Sequence, residues 1–219
     1  MRTIPAGVAA TASLAASMVL AAGCAAPGTS PTWQAGAPIA SSAAPSPTTR
    51  APKPKIDTEN GAKGPLGDVI DLGGLKDADG NPYVIFGVTG KIVNETSAFG
   101  FAIGVRLPKN IVREDLTISE YEGKATDPGF HPMQAQMDLL DKSVQPAFGY
   151  YSGTPARITV REVNRTIEAH LAPWSEDPGQ TVFWFDPADV HDSSQWTDLG
   201  AYDAAGTRLP DGHIELSTY

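Results

Sequence analysis

The sequence predicts a mainly β protein, an immunoglobulin-like antiparallel sandwich with one short helix, behind a signal peptide and a disordered tether. Three observations carry this reading. Residues 99–107 alternate large apolar side chains with small or polar ones without a break, which is the period of a half-buried strand. Short β-type runs separated by turn residues recur from about residue 66 onward, the rhythm of a sandwich. Residues 25–65 hold Trp33, Ile39 and Ile56 as their sizeable apolar groups, among many prolines and small residues.

The elements follow in chain order. Arg2 is followed by an uncharged stretch from Ile4 to Gly23, rich in Ala and interrupted by Pro5, Gly7 and several Ser and Thr. That composition suits a cleaved secretory signal, because a permanent span needs about 20 strongly apolar residues. The stretch closes on Leu20-Ala21-Ala22-Gly23-Cys24, and Cys24 is the only cysteine in the chain. This arrangement resembles the type II (lipobox) signal of bacterial lipoproteins. The resemblance implies that Cys24 becomes the first mature residue, that its thiol carries diacylglycerol and the acyl chains, palmitate among them, and that the protein sits on the extracytoplasmic face of the cell membrane. Each acyl chain would add about 0.8 kcal/mol of anchoring per buried methylene. With one thiol no internal disulfide can form, so packing must hold the fold.

Residues 1–23 are thus expected to be the signal, 24–65 a lipidated Pro/Ala/Ser/Thr-rich tether, and 66–219 the β domain. The tether cannot bury enough surface to offset its ordering entropy. As a flexible coil it would span roughly 30 to 40 Å. Its composition resembles that of actinobacterial surface lipoproteins.

Within the domain, Tyr83 to Val93 places Val84, Phe86, Val88 and Ile92 on one face. Phe99 to Leu107 places Phe99, Phe101, Ile103, Val105 and Leu107 on one face and Gly100, Ala102, Gly104 and Arg106 on the other, with a hairpin loop at Asn94–Ala98. Leu116 to Tyr121 is a third strand. Ala156–Val163 and Arg165–Leu171 form a hairpin turning at Asn164, a residue tolerant of positive φ. Thr181–Phe185 is apolar on both faces, as a central strand should be. Leu199–Tyr202 and a run around Ile214 and Leu216 close the series. Pro132 at a first-turn position and Met133, Met137, Leu140 and Val144 at helical spacing predict the one helix. The last 75 or so residues loosely resemble secreted actinobacterial β domains of unassigned function, a likeness of strand order and of the Asp203–Gly206 turn that carries no functional residue.

Net charge is −9, so the exported part is not built to neutralise phosphates, and nucleic acid is excluded as a partner. The sole thiol is the lipid acceptor, which removes cysteine nucleophiles. There is no Gly-x-Ser-x-Gly elbow for a serine hydrolase. His131, His170, His191 and His213 show no metal-ligand spacing; His170 reads as solvent-facing and His131 as a capping or loop residue before the helix. Asp77-x-Asp79-Gly80 lacks the rest of a calcium loop. Asp186, Asp189 and Asp192 around His191 are the densest acidic group and the candidate calcium ligands, with a solvated loop the simpler reading. Trp174 and Trp196, in turn-rich segments, are the candidate exposed aromatics for ligand or glycan stacking. No cofactor is implied. The expected function is a membrane-anchored lipoprotein with a non-catalytic β-sandwich that binds a cell-surface protein or glycan; the alternative is a cell-wall or glycan-active enzyme using paired carboxylates.

Overall fold

In the computed structural model, which describes residues 52–57, 62–90 and 98–218, strand alternation builds three stacked sheets. Cys24, the signal, most of the tether and, up to Ser97, the expected Asn94–Ala98 hairpin loop lie outside the described residues. Among the described residues no helix is long and apolar enough to cross a membrane. The fold class is the expected one, mainly β with several antiparallel sheets in a sandwich.

The first sheet consists of β1 (Lys55–Asp57), β2 (Ala62–Lys76), β3 (Pro82–Gly90), β4 (Gly100–Leu107) and β5 (Ile111–Ile118). Their order is β1-β5-β4-β3-β2, antiparallel except for the parallel β1–β5 pair. The alternation read from residues 99–107 sets the register: Phe101, Ile103 and Val105 join Tyr83 and Ile85 on one buried face, while Val84, Phe86, Val88 and Ala102 pack on the other with Ile56 and Val69. The long β2 is bulged at three places and curls until it approaches β1 at the opposite edge. At the bulge between Ile103 and Gly104, a Cβ on Gly104 would lie 1.9 Å from the Arg113 carbonyl oxygen, so only glycine lets β5 come this close.

Among the described residues strand structure starts at Lys55, inside the range expected to be tether. Three residues with Ile56 as their one apolar side chain are too few to show a period, yet that side chain packs under β3 and β4. β5 likewise begins before Leu116, at Ile111; its start is hidden because Arg113, Glu114 and Asp115 interrupt the apolar pattern of a strand that is only partly buried.

Next along the chain come β6 (Gly129–Phe130), β7 (Met133–Gln134), β8 (Met137–Asp138), β9 (Val144–Gln145), β10 (Phe148–Ser152), β11 (Arg157–Glu162), β12 (Arg165–Glu168), β13 (His170–Pro173), β14 (Gln180–Trp184), β15 (Trp196–Tyr202) and β16 (Leu216–Ser217). The second sheet runs β13-β14-β10-β7-β16, with β6 also on β10, and the third runs β12-β11-β15. The second sheet is central. Phe148, Tyr150, Val182 and Trp184 face the first sheet, whereas Tyr151, Phe183 and Phe185 face Ile158, Val160, Ile167 and Leu199 of the third. Two buried faces explain why Thr181–Phe185 is apolar throughout.

The expected helix at residues 132–144 is not formed. Its residues make β7 and the small β8–β9 hairpin instead. The N–H groups of Met133 and Ala135 donate to Glu215 and Ser217 of the returning chain, at 2.8 and 2.9 Å. Met133 is buried, but Leu140, the residue that should have continued the apolar stripe, is fully exposed at the hairpin turn. Tertiary pairing overrides the helical spacing. The one helical turn among the described residues is a 3-10 turn at Ser193–Gln195.

The β11–β12 hairpin turns on Val163 and Asn164, as expected, but the positive φ, 52°, falls on Val163. Beyond it, residues 165–173 pass from the third sheet to the second: β12 pairs with β11, Ala169 N–H donates to Ile158, and β13 then pairs with β14.

Candidate functional site

Trp174 is a core residue and not an exposed platform. It is 5% exposed, its ring lies 4.8 Å from Phe99 and 5.2 Å from Phe101, and its indole N–H donates to the Leu66 carbonyl at 3.3 Å. The polar residues around it form the turn, closed by Trp174 N–H on Gln180 O, and the turn swings the ring inward over Gly87. A turn-like composition describes the backbone there and says nothing of where the one large side chain goes.

The acidic trio is also local. Asp186 accepts the Ala188 N–H, and Asp192 accepts Ser194 N–H, Ser194 O–H and Gln195 Nε2 at 3.0, 2.6 and 2.7 Å. Hydrogen bonds from the Ser194 side chain and then from Gln195 hold the Asp192 carboxyl below its usual range. Asp189 meets Arg165 through its backbone carbonyl. Among the described residues no group of three His, Cys, Asp or Glu side chains is placed to hold a metal ion. The carboxylates of Asp186 and Asp192 cap turns.

Trp196 stands differently. Half-buried at the start of β15, it packs at 4.7 Å on Phe185 and lines an open groove of about 290 Å³ with Met133, Val160, Leu199, Ile214 and Leu216. Ile214 is 42% exposed. The charged wall of the groove is fixed: Arg208 donates to Asp198 at 2.7 Å, to Asp211 at 3.1 Å and to the Leu199 carbonyl at 2.8 Å. An apolar floor, an aromatic side and a clamped ion pair make a surface suited to binding.

The most connected polar group lies elsewhere and was invisible in the sequence. Glu120, 1% exposed, follows β5. Its Oε1 accepts the N–H groups of Tyr121, Glu122 and Gly123 at 2.8, 2.9 and 3.3 Å, and His213 Nδ1 at 2.9 Å. Its Oε2 accepts His131 Nδ1 at 2.7 Å. Burial pushes this carboxyl up, but the Glu122 N–H, both histidines and the Gly123 N–H outweigh burial and hold it at about 2. His131 stacks flat on Tyr150, with ring centres 4.4 Å apart and planes within 5°. Burial, and then the Glu120 charge, raise the Tyr150 phenol above its usual range. His131 Nε2 is 2.9 Å from Ser152 Oγ, which completes a Glu120–His131–Ser152 line.

The line has the outline of a hydrolase triad, but its serine is buried and has competing acceptors. His131 Nε2 also sits 3.1 Å from the Asp127 carbonyl, and Ser152 Oγ sits 2.9 Å from the Ala125 carbonyl and 2.7 Å from Gln180 Oε1. Main-chain carbonyls can only accept. The Ser152 hydroxyl therefore has the Ala125 carbonyl and Gln180 Oε1 as acceptors besides His131 Nε2, and the one serine proton can serve only one of the three. A catalytic serine requires an unprotonated Nε2 that receives the hydroxyl proton and a hydroxyl open to substrate. An open pocket of about 400 Å³ is lined by Glu120, Glu122, Asp127, His131 and His213, and Ser152 is not among its lining residues. The network ties residues 120–127 to β10 and to the segment carrying His213. Its members are 11, 21 and 93 residues apart, and no spacing rule joins them.

No protein-family model matches this chain, and no match is found among curated proteins or solved structures.

Proposed function

We propose that the chain is a bacterial surface lipoprotein, anchored through lipid on Cys24 to the extracytoplasmic face of the membrane, whose β domain binds a ligand without transforming it. The groove beside Trp196 carries the binding half of this reading: it joins apolar side chains from two sheets next to an ion pair whose hydrogen bonds are already satisfied. Support for the anchor is the uncharged stretch ending at Leu20-Ala21-Ala22-Gly23-Cys24. Support for a non-catalytic role is the burial of Ser152, which does not line the pocket beside Glu120 and His131. The paired-carboxylate alternative would draw on Glu120 and Glu122 in the pocket beside His213. Glu120, ionised down to about pH 2, is denied the acid role that such chemistry needs.

Two measurements test the two halves. Cys24→Ala should move the protein from the membrane fraction to the medium or leave it unprocessed; an unchanged membrane fraction refutes the anchor. Trp196→Ala should weaken binding of an anilinonaphthalene dye to the folded protein by about tenfold. Equal dye binding by both proteins would take the groove out of the reading.

A further inference from the structure

The outer face of the third sheet carries a second site of different chemistry. Side chains two apart on a strand share a face, which puts Arg157, Thr159 and Arg161 of β11 in one row. Their cross-strand partners are Tyr202, Gly200 and Thr197 on β15, and Thr166 and Glu168 on β12. A pocket of about 210 Å³ opens there, lined by Arg157, Thr159, Arg161, Thr166, Asp198 and Tyr202. Thr159 is buried. Gly200 makes room for the side chains at its edge, since a Cβ there would meet Tyr202 Oη at 2.9 Å and Arg208 Nη1 at 3.2 Å. Four of the six arginines among the described residues, Arg157, Arg161, Arg165 and Arg208, belong to this sheet or its rim, in a chain of net charge −9.

These charges are not equivalent. Arg208 is spent on Asp198 and Asp211, and Arg165 on His191 and the Asp189 carbonyl. Arg157 lies over the Tyr202 ring, 5.0 Å from its centre, which orients the guanidinium while leaving its N–H donors to a ligand. Arg161 is exposed near Asp198, whose charge Arg208 already holds. Asp198 and Glu168 are the acids on this face. The pocket thus offers two guanidinium forks, three hydroxyls and one carboxylate acceptor. Guanidinium recognises a planar carboxylate bidentately, while hydroxyls and a carboxylate acceptor suit the hydroxyls of a sugar. A free phosphate would meet Asp198 with nothing to give it. The volume lies below that of drug-sized pockets and leaves room for one sugar residue.

We infer that this pocket binds a sugar residue bearing a carboxylate, as one unit of an acidic glycan. The inference rests on the non-catalytic binding reading but not on the groove beside Trp196.

The test titrates the folded protein with trigalacturonate, with maltotriose as the neutral probe and inorganic phosphate as the bare anion. Trigalacturonate should bind, with affinity falling as salt rises. Arg157→Gln and Arg161→Gln should each weaken it by about tenfold, and both are exposed positions whose melting should be unchanged. Arg106→Gln on the first sheet and Trp196→Ala should leave it intact. Equal binding of maltotriose, equal binding of phosphate, no binding at millimolar concentration, or loss through Trp196→Ala instead would each overturn the assignment. Cleavage of trigalacturonate during the titration would refute the non-catalytic reading and leave the site standing.

Discussion

Between β3 and β4, Tyr83, Ile85, Phe101 and Ile103 press against Phe148 and Tyr150 across an apolar interface, while around Glu120 a single carboxylate collects three backbone N–H groups and two imidazoles. Both centre on fully buried side chains and both are tied to β10. The first is held by area, which is non-directional and indifferent to protonation. The second is held by hydrogen bonds to an ion, where each donor matters and the charge itself is a condition of folding. Neighbouring parts of one core therefore fail in different ways: one by loss of volume, the other by loss of a proton balance.

The largest expected effect is on the apolar side. Phe101→Ala should cost about 3 to 5 kcal/mol, because the ring is wholly buried against Phe99, Tyr150 and Trp174 and its loss leaves a cavity. Urea unfolding measures it, and the loss should be the same at neutral pH and at about pH 5. A cost below 1 kcal/mol would mean that the interface is not close-packed there.

The polar side should answer to pH instead. The Glu120 carboxyl is depressed from 4.5 to about 2 in the folded state, so the unfolded chain takes up the proton first on acidification. Its contribution is present above the unfolded value and is lost as pH falls through the folded one. That amounts to about 3 kcal/mol lost between roughly pH 5 and pH 2. Glu120→Gln should lower stability at neutral pH by a similar amount and flatten the acid limb of the stability–pH curve. If the variant keeps the full acid dependence of the parent, the network does not act through this charge.

The smallest effect is expected on the opposite face of β4. Arg106→Ala removes an ion pair to Asp71 at 3.0 Å, but Asp71 is largely exposed, and such pairs contribute well under 1 kcal/mol. A loss comparable to that of Phe101→Ala would mean the strand is turned over, since a one-residue slip exchanges the two faces.

The same contrast governs what could be read from the sequence. The face of β4 was legible because period-two alternation is local, as were the two-sided burial of Thr181–Phe185 and the strand character of residues 199–202. The helical spacing at Met133, Met137, Leu140 and Val144 was equally local but misleading, because the donors of Met133 and Ala135 pair with a segment 80 residues later. Trp174 was misplaced for a related reason: turn composition fixes the backbone, while the ring goes where Gly87 leaves space. Of the two candidate aromatics, Trp196 lines a groove and Trp174 is buried in the core. Glu120, His131, Ser152 and His213 carry no shared period or spacing, and only the stacking of distant strands brings them together.

The run from Arg165 to Pro173 belongs to two sheets, with Ala169 at the handover. Any opening that frees the outer sheet must drag the edge of the central one with it, since no slack separates β12 from β13. Amide hydrogens on β11, β12, β13 and β14 should accordingly exchange with solvent as one cooperative unit, at one common opening free energy. The molecule cannot shed its outermost layer and wait, half folded, for a partner to replace it.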